Sequence, residues 1–195
     1  MKKIIAITGT SRGIGKAIYN QLKKDGLNTS NPYEIIKLGR QTGFDIQKDW
    51  KPKLSEIVDK TNIFINNVHY QYEQIKILQY LYNEWRAKDN KMIINISSTA
   101  GDKKQERFGV WASYQVQKIA LDEACKQLEG MGKCKVVNIR PGWVNTKAVE
   151  GIQKPIGITL LQPETVAQII SYIINQPEEI YIKNISIEPW YKKSK

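Results

Sequence analysis

Apolar residues along this chain occur in two patterns. Short, nearly unbroken runs rich in Ile and Val fall at residues 2–8, 34–38, 62–66, 91–97, 134–139 and 180–187. They are predicted as strands, and such continuity suits strands buried on both faces of a sheet. Between them, at about 14–24, 54–60, 73–87, 114–129 and 163–175, apolar positions recur every three or four residues, which predicts helices. Strand and helix alternate from end to end, which predicts an α/β fold: a doubly wound parallel sheet in a three-layer α/β/α sandwich. No internal repeat or low-complexity linker interrupts the pattern, so residues 1–195 are predicted to form a single domain. The stretch 147–162, with Gly151, Pro155 and Gly157, reads as a loop or short lid.

Composition narrows the class. The chain is 41% hydrophobic and 25% charged, ordinary values for a soluble domain. No apolar run approaches the roughly 20 residues that span a bilayer. The opening, Met1-Lys2-Lys3 followed by an apolar run, leads into a glycine motif at Gly9 without a small-residue cleavage stretch. It reads as the first strand of a cytoplasmic protein. Cys125 and Cys134 have no metal-ligand spacing and the chain has a single histidine, so no metal site is expected and the thiols read as buried and structural. The net charge of +11 raises nucleic acid as a partner, but the lysines are dispersed, the one marked cluster being Lys192, Lys193 and Lys195. No recognised binding motif accompanies them, and neither nucleic acid nor membrane is the expected partner.

In a doubly wound sheet ligands bind beyond the carboxyl ends of the strands. After the first strand comes Thr8-Gly9-Thr10-Ser11-Arg12-Gly13-Ile14-Gly15, which opens a helix. Glycines there allow a tight turn, close approach of backbone to a pyrophosphate, and packing of helix on strand. The N–H groups and dipole of the helix start then hold the phosphates. The spacing, Thr-Gly-x-x-x-Gly-x-Gly, resembles that of the short-chain dehydrogenase/reductase family. Where an NAD site ends its second strand in an acid, this chain has Lys37-Leu38-Gly39-Arg40. Arg12 and Arg40 suit a 2′-phosphate, with charge-assisted bonds of roughly 1.5–3 kcal/mol each. Basic residues at these two positions accompany NADP(H) preference in the family. Asp45 matches the position that touches the adenine in relatives.

The resemblance continues along the chain, and it implies a Rossmann-like fold. The Ser-Ser-x-Ala-Gly match, Ser97-Ser98-Thr99-Ala100-Gly101, implies that Ser98 is the catalytic serine. The Tyr-x-x-x-Lys match implies Tyr114 as acid/base and Lys118 as the ribose-binding partner. Four residues apart on a helix, the two share one face. A phenol titrating near pH 10 needs a lower pKa to exchange protons, and a neighbouring ammonium together with a nicotinamide cation would lower it. Pro141-Gly142-Trp143-Val144-Asn145-Thr146 resembles the turn in which Pro141 and Gly142 shape the nicotinamide wall. There Val144 and Thr146 contact the carboxamide region. Asn66 and Asn67 match the segment beside the ribose, although Val68 and His69 replace the smaller Ala-Gly of relatives.

The chain is also short for the family. Four residues separate Arg40 from Asp45, so the helix usually found there is missing, and 30 separate Asn67 from Ser98. Asn83 lies too near its helix end to match the fourth catalytic asparagine of relatives, leaving Asn67 or water for that role. The implied activity is hydride transfer between NADP(H) and a small-molecule carbonyl or alcohol. Phe108, Trp111, Trp143 and Trp190 suit either the wall of an apolar or aromatic substrate site or the core. The alternative is a dinucleotide-binding sensor of the same fold that has lost turnover. Resemblance also implies a homodimer or homotetramer through the helices at 73–87 and 114–129, and Ile77, Leu78, Leu81, Tyr82 and Trp85 suit either that contact face or simple packing on the sheet.

Overall fold

A computed structural model of the chain describes residues 2–27, 32–102, 110–152 and 157–190, without the side chains of Val110 and Trp111. Six strands, β1 (Lys3–Thr8), β2 (Tyr33–Leu38), β3 (Ile63–Asn66), β4 (Met92–Ile96), β5 (Lys135–Pro141) and β6 (Asn184–Ile187), form one sheet. Its order is β2-β1-β3-β4-β5-β6, and every pair is parallel. The predicted sheet is therefore observed. The last strand is shorter than expected, starting at Asn184 rather than residue 180, because only from there does its backbone pair with β5.

Two apolar layers cover the sheet. On one face α1 (Gly13–Leu27) and α5 (Pro163–Ile174) bury Ile18, Leu22, Val166 and Ile170 against Ile5, Ile7, Ile65 and Ile94. On the other, α3 (Glu73–Trp85) and α4 (Val110–Leu128) bury Ile77, Leu78, Leu81 and Leu121 against Ala6, Phe64, Ile93 and Val136. Successive residues of β1 and β3 thus alternate between the two cores, as the period of two requires, whereas edge strand β6 alternates between one core and solvent.

Two helix expectations are corrected. The helix predicted over 54–60 is the single turn α2 (Lys51–Ser55), opened by Pro52 near its start and followed by turns. In addition, α4 already runs from Val110, so Tyr114 sits a full turn inside it rather than at its start. Between β2 and Asp45, where the resembled family usually has a helix, stands only a 3-10 turn, Arg40–Thr42. The sheet face there is covered by the buried side chains of Phe44, Ile46 and Trp50. Trp50 is held by an Nε1–H bond of 2.8 Å to Glu73 at the start of α3.

The apolar stripe of α3 is likewise settled. Ile77, Leu78, Leu81, Tyr82 and Trp85 all lie in the core, so they pack on the sheet and do not form a contact face for a second subunit. Among the described residues no helix is long and apolar enough to cross a membrane.

Candidate active site

Strand order reverses between β1 and β3, where β1 has β2 on one side and β3 on the other. That switch point opens a crevice at the carboxyl ends of the strands. Gly9 and Gly13 adopt φ of +74° and +55°, conformations that L side chains rarely take. A Cβ on Gly15 would overlap the Gly9 carbonyl oxygen and the Asn67 amide. One on Gly9 would overlap Val68, which explains how a residue bulkier than the alanine of relatives fits there. Buried Thr8 ties the two strand ends together, its Oγ1 accepting from Asn67 N at 2.8 Å and Val68 N at 3.0 Å. Asn67 Nδ2 donates to Thr8 O at 2.9 Å.

A cavity of about 900 Å³ lies over this cradle, and Gly9, Ser11, Arg12, Gly13, Ile14, Arg40, Asp45, Asn67 and Thr146 are among its lining residues. Lys16, Lys37 and Lys147 also line it, so five cations face the carboxylate of Asp45 among the described lining residues. The Arg40 guanidinium stays largely exposed, with Nε 3.5 Å from Asp45 Oδ2. Such an exposed pair is weak and leaves the cation available. A cradle kept open by glycines, a helix start and an excess of cations fit a long anionic ligand such as a dinucleotide.

Ser98, Tyr114 and Lys118 converge beyond β4. Ser98 Oγ accepts from Ala100 N at 3.1 Å, donates to Pro141 O at 3.3 Å, and shares a hydrogen bond with Tyr114. The Lys118 ammonium lies 5.6 Å from the centroid of the Tyr114 ring. His69 meets the same ring edge to face, with centroids 5.1 Å apart. It also lines the cavity, and so links its wall to the tyrosine.

The electrostatics of the chain by itself are set by burial. Burial pushes the Tyr114 phenol above its ordinary value, Asp122 adds to the rise, and the Ser98 hydrogen bond opposes it. The ammonium that was to lower it is itself depressed: burial brings Lys118 down to about 7, against the opposing pull of Asp122. Its charged form is thus disfavoured in the folded chain. His69 is lowered to about 4, chiefly by burial and then by Lys118, so its imidazole is neutral at pH 7.

Other predicted residues are distributed unevenly. Thr146 reaches the phosphate cradle, where a Cβ on Gly13 would stand 3.3 Å from its Cγ2. Pro141 and Val144 are buried, and Gly142 N donates to Ile187 O at 2.8 Å. Asn66 does not reach the cavity wall. Its side chain is spent in the interior, donating to Gln74 O at 2.8 Å and Asn95 Oδ1 at 2.9 Å. Asn83 is exposed on the outer side of α3. Trp143 is half-buried and Trp190 is 85% exposed. Phe108, the Trp111 side chain, Pro155 and the lysines at 192, 193 and 195 lie outside the described residues.

Sequence reasoning missed Gln74, whose buried amide contacts Lys118. The signal was available: Gln74 is a polar residue on the stripe formed by Ile77, Leu78 and Leu81. Among the described residues no group of three or more His, Cys, Asp or Glu side chains is placed to hold a metal ion.

No family model matches the chain. An uncharacterized oxidoreductase of Staphylococcus aureus strain USA300 is 22% identical over 226 residues, covering 96% of this chain and 97% of the relative. A second, from Staphylococcus saprophyticus, is 22% identical over 236 residues and covers 96% of each. Both alignments exceed the length of this chain, so its deletions are internal. Among solved structures, an alcohol dehydrogenase of Thermococcus sibiricus complexed with 5-hydroxy-NADP is 15% identical, with a TM-score of 0.73 and all of both chains covered. A 3-ketoacyl-(acyl-carrier-protein) reductase of Brucella melitensis complexed with NADH is 16% identical, with a TM-score of 0.75 and coverage of 95% and 96%. A short chain dehydrogenase of Burkholderia cenocepacia in complex with NADP has a TM-score of 0.70 at 15% identity, with 95% and 96% covered. The chain thus has the fold of these dehydrogenases and reductases, and the motifs that resemble the short-chain dehydrogenase/reductase pattern follow one another along it in the same order.

Proposed function

We propose that this chain is an NADP(H)-dependent oxidoreductase that interconverts a carbonyl and a hydroxyl group on a small molecule. The observation that carries the reading is the convergence of Ser98, Tyr114 and Lys118 beside a cation-lined glycine cradle. Gly9, Gly13, Gly15, Arg12, Arg40, Asn67 and Thr146 would hold the dinucleotide, and its nicotinamide supplies or accepts the hydride. Ser98 binds the substrate oxygen and holds the charge that develops on it. In the direction of reduction Tyr114 gives its proton to that oxygen. At neutral pH the phenol carries its proton, and an alkoxide developing on the substrate oxygen is a strong enough base to take it. Lys118 would hold the ribose of the dinucleotide through its ammonium, and the tyrosinate left behind regains its proton from solvent.

Several neighbours in fold have NADP or NADPH bound and one has NADH, so cofactor preference rests on this chain's own charges. Arg12 and Arg40, with Lys16 and Lys37 on the same wall, favour a 2′-phosphate over a bare ribose hydroxyl. Titration of nicotinamide fluorescence and tryptophan quenching with NADPH and NADH tests this. NADPH binds more tightly, and Arg12→Ala with Arg40→Ala removes the preference by about tenfold or more per bond lost. Binding of neither nucleotide refutes the enzyme reading and leaves a protein that has abandoned the dinucleotide. We also propose self-association, through α4, whose outward face exposes Val116 and Ile119.

A further inference from the structure

Gln74 is only 2% exposed, in the first turn of α3. A buried amide is costly unless its hydrogen bonds are made, and here both ends are used. Nε2 donates to Asn66 O at 2.9 Å and Ile96 O at 3.2 Å, while Oε1 accepts from Lys118 Nζ at 2.8 Å. Lys118 Nζ also donates to Ile96 O at 2.9 Å. One side chain therefore joins the carboxyl ends of β3 and β4 to the middle of α4. An ammonium has three donors. Two of them end on Gln74 and Ile96, which leaves the third for a ligand. The titratable groups around the ammonium are Tyr114, Asp122 and Cys125 on α4 and His69 from the loop after β3.

We propose that Gln74 is a positioning residue of this site: its amide oxygen holds the Lys118 ammonium at the ends of β3 and β4 and aims the remaining donor into the site. The identity of the ligand rests on the function proposed above, whereas the Gln74–Lys118 coupling does not. Because the acceptor is a neutral amide, it orients the lysine without supplying a counter-charge. That agrees with the direction in which burial moves Lys118. A carboxylate at the same distance would orient the lysine too, but would hold it permanently charged.

The test begins on the ligand-free protein. Lysine side chains are labelled with 13C, the Lys118 Cε signal is assigned by its loss in Lys118→Arg, and its titration is followed by NMR. Gln74→Glu, nearly isosteric, raises the Lys118 midpoint by about one unit or more. Gln74→Met, which lacks an acceptor for the charged form, lowers it. Midpoints equal to wild type in both folded variants overturn the proposal, and Gln74→Glu alone decides if Gln74→Met does not fold. Addition of NADPH reads the second half. Gln74→Met binds it about tenfold more weakly than wild type, the loss expected when one charge-assisted bond is misaligned. Equal affinity refutes the aiming role. If wild type itself does not bind NADPH, the proposed function falls, and the ligand-free midpoints still decide whether Gln74 sets Lys118.

Discussion

Lys118 is 3% exposed and accepts no full counter-charge from the amide and carbonyl that hold it, so its charged form is disfavoured in the folded chain. Unfolded, it titrates near its ordinary 10.5, and folded at about 7. A base whose pKa falls on folding adds stability only where both states are neutral. That contribution disappears as pH drops from above 10.5 towards 7. Between pH 9 and pH 7 the unfolded lysine is protonated throughout, whereas the folded one takes up its proton only near the lower end. Each pH unit over which only the unfolded state is protonated is worth about 1.4 kcal/mol. Wild type is therefore expected to lose about 2 kcal/mol between pH 9 and pH 7 on account of this group alone. Lys118→Met has no such term. Urea unfolding followed by tryptophan fluorescence at the two pH values, in wild type and variant, isolates it as a double difference in which other titrating groups cancel. The same change with pH in both proteins would falsify the depressed lysine.

Three further outcomes are expected. Gly9→Ala loses about 1–3 kcal/mol of stability in urea unfolding, because φ of +74° strains an L residue and the new methyl meets Val68. Adding Val68→Ala recovers the overlap but not the strain; full recovery would show that Gly9 has no special conformation. With any carbonyl substrate found by screening NADPH oxidation, Tyr114→Phe lowers turnover by about 10²-fold or more while NADPH affinity stays near wild type. Unchanged turnover would remove Tyr114 as the proton donor. Sedimentation velocity at micromolar concentration is expected to show a dimer that Val116→Glu with Ile119→Glu disperses, and a wild-type monomer would end the self-association idea.

Local information carried much of the architecture. Ile- and Val-rich runs have few alternatives to central strands, and the order of strand and helix leaves little choice but a parallel sheet with covered faces. The glycine spacing after β1 is equally local, since a turn that brings backbone close to a ligand excludes a Cβ wherever it occurs. Tyr114 and Lys118 share a face because four residues of helix make one turn, whatever surrounds them. Ends of elements were less legible. The helix predicted over 54–60 shrank to one turn, and β6 began only where β5 offered partners. Both outcomes depend on what packs alongside.

What the sequence by itself determined, then, is the class of fold, the glycine cradle and the serine, tyrosine and lysine that the family resemblance singles out. The tertiary structure decided what each group experiences. It put Phe44, Ile46 and Trp50 where a helix was missing and turned the apolar face of α3 inward. It drew Asn66 into the interior and placed Gln74, 44 positions earlier in the chain, against Lys118. It also raised the Tyr114 pKa in the chain by itself, through burial. The reason is common to all of these: hydrogen-bond partners and desolvation come from residues distant in sequence, and a pKa follows those surroundings rather than the spacing of the motif.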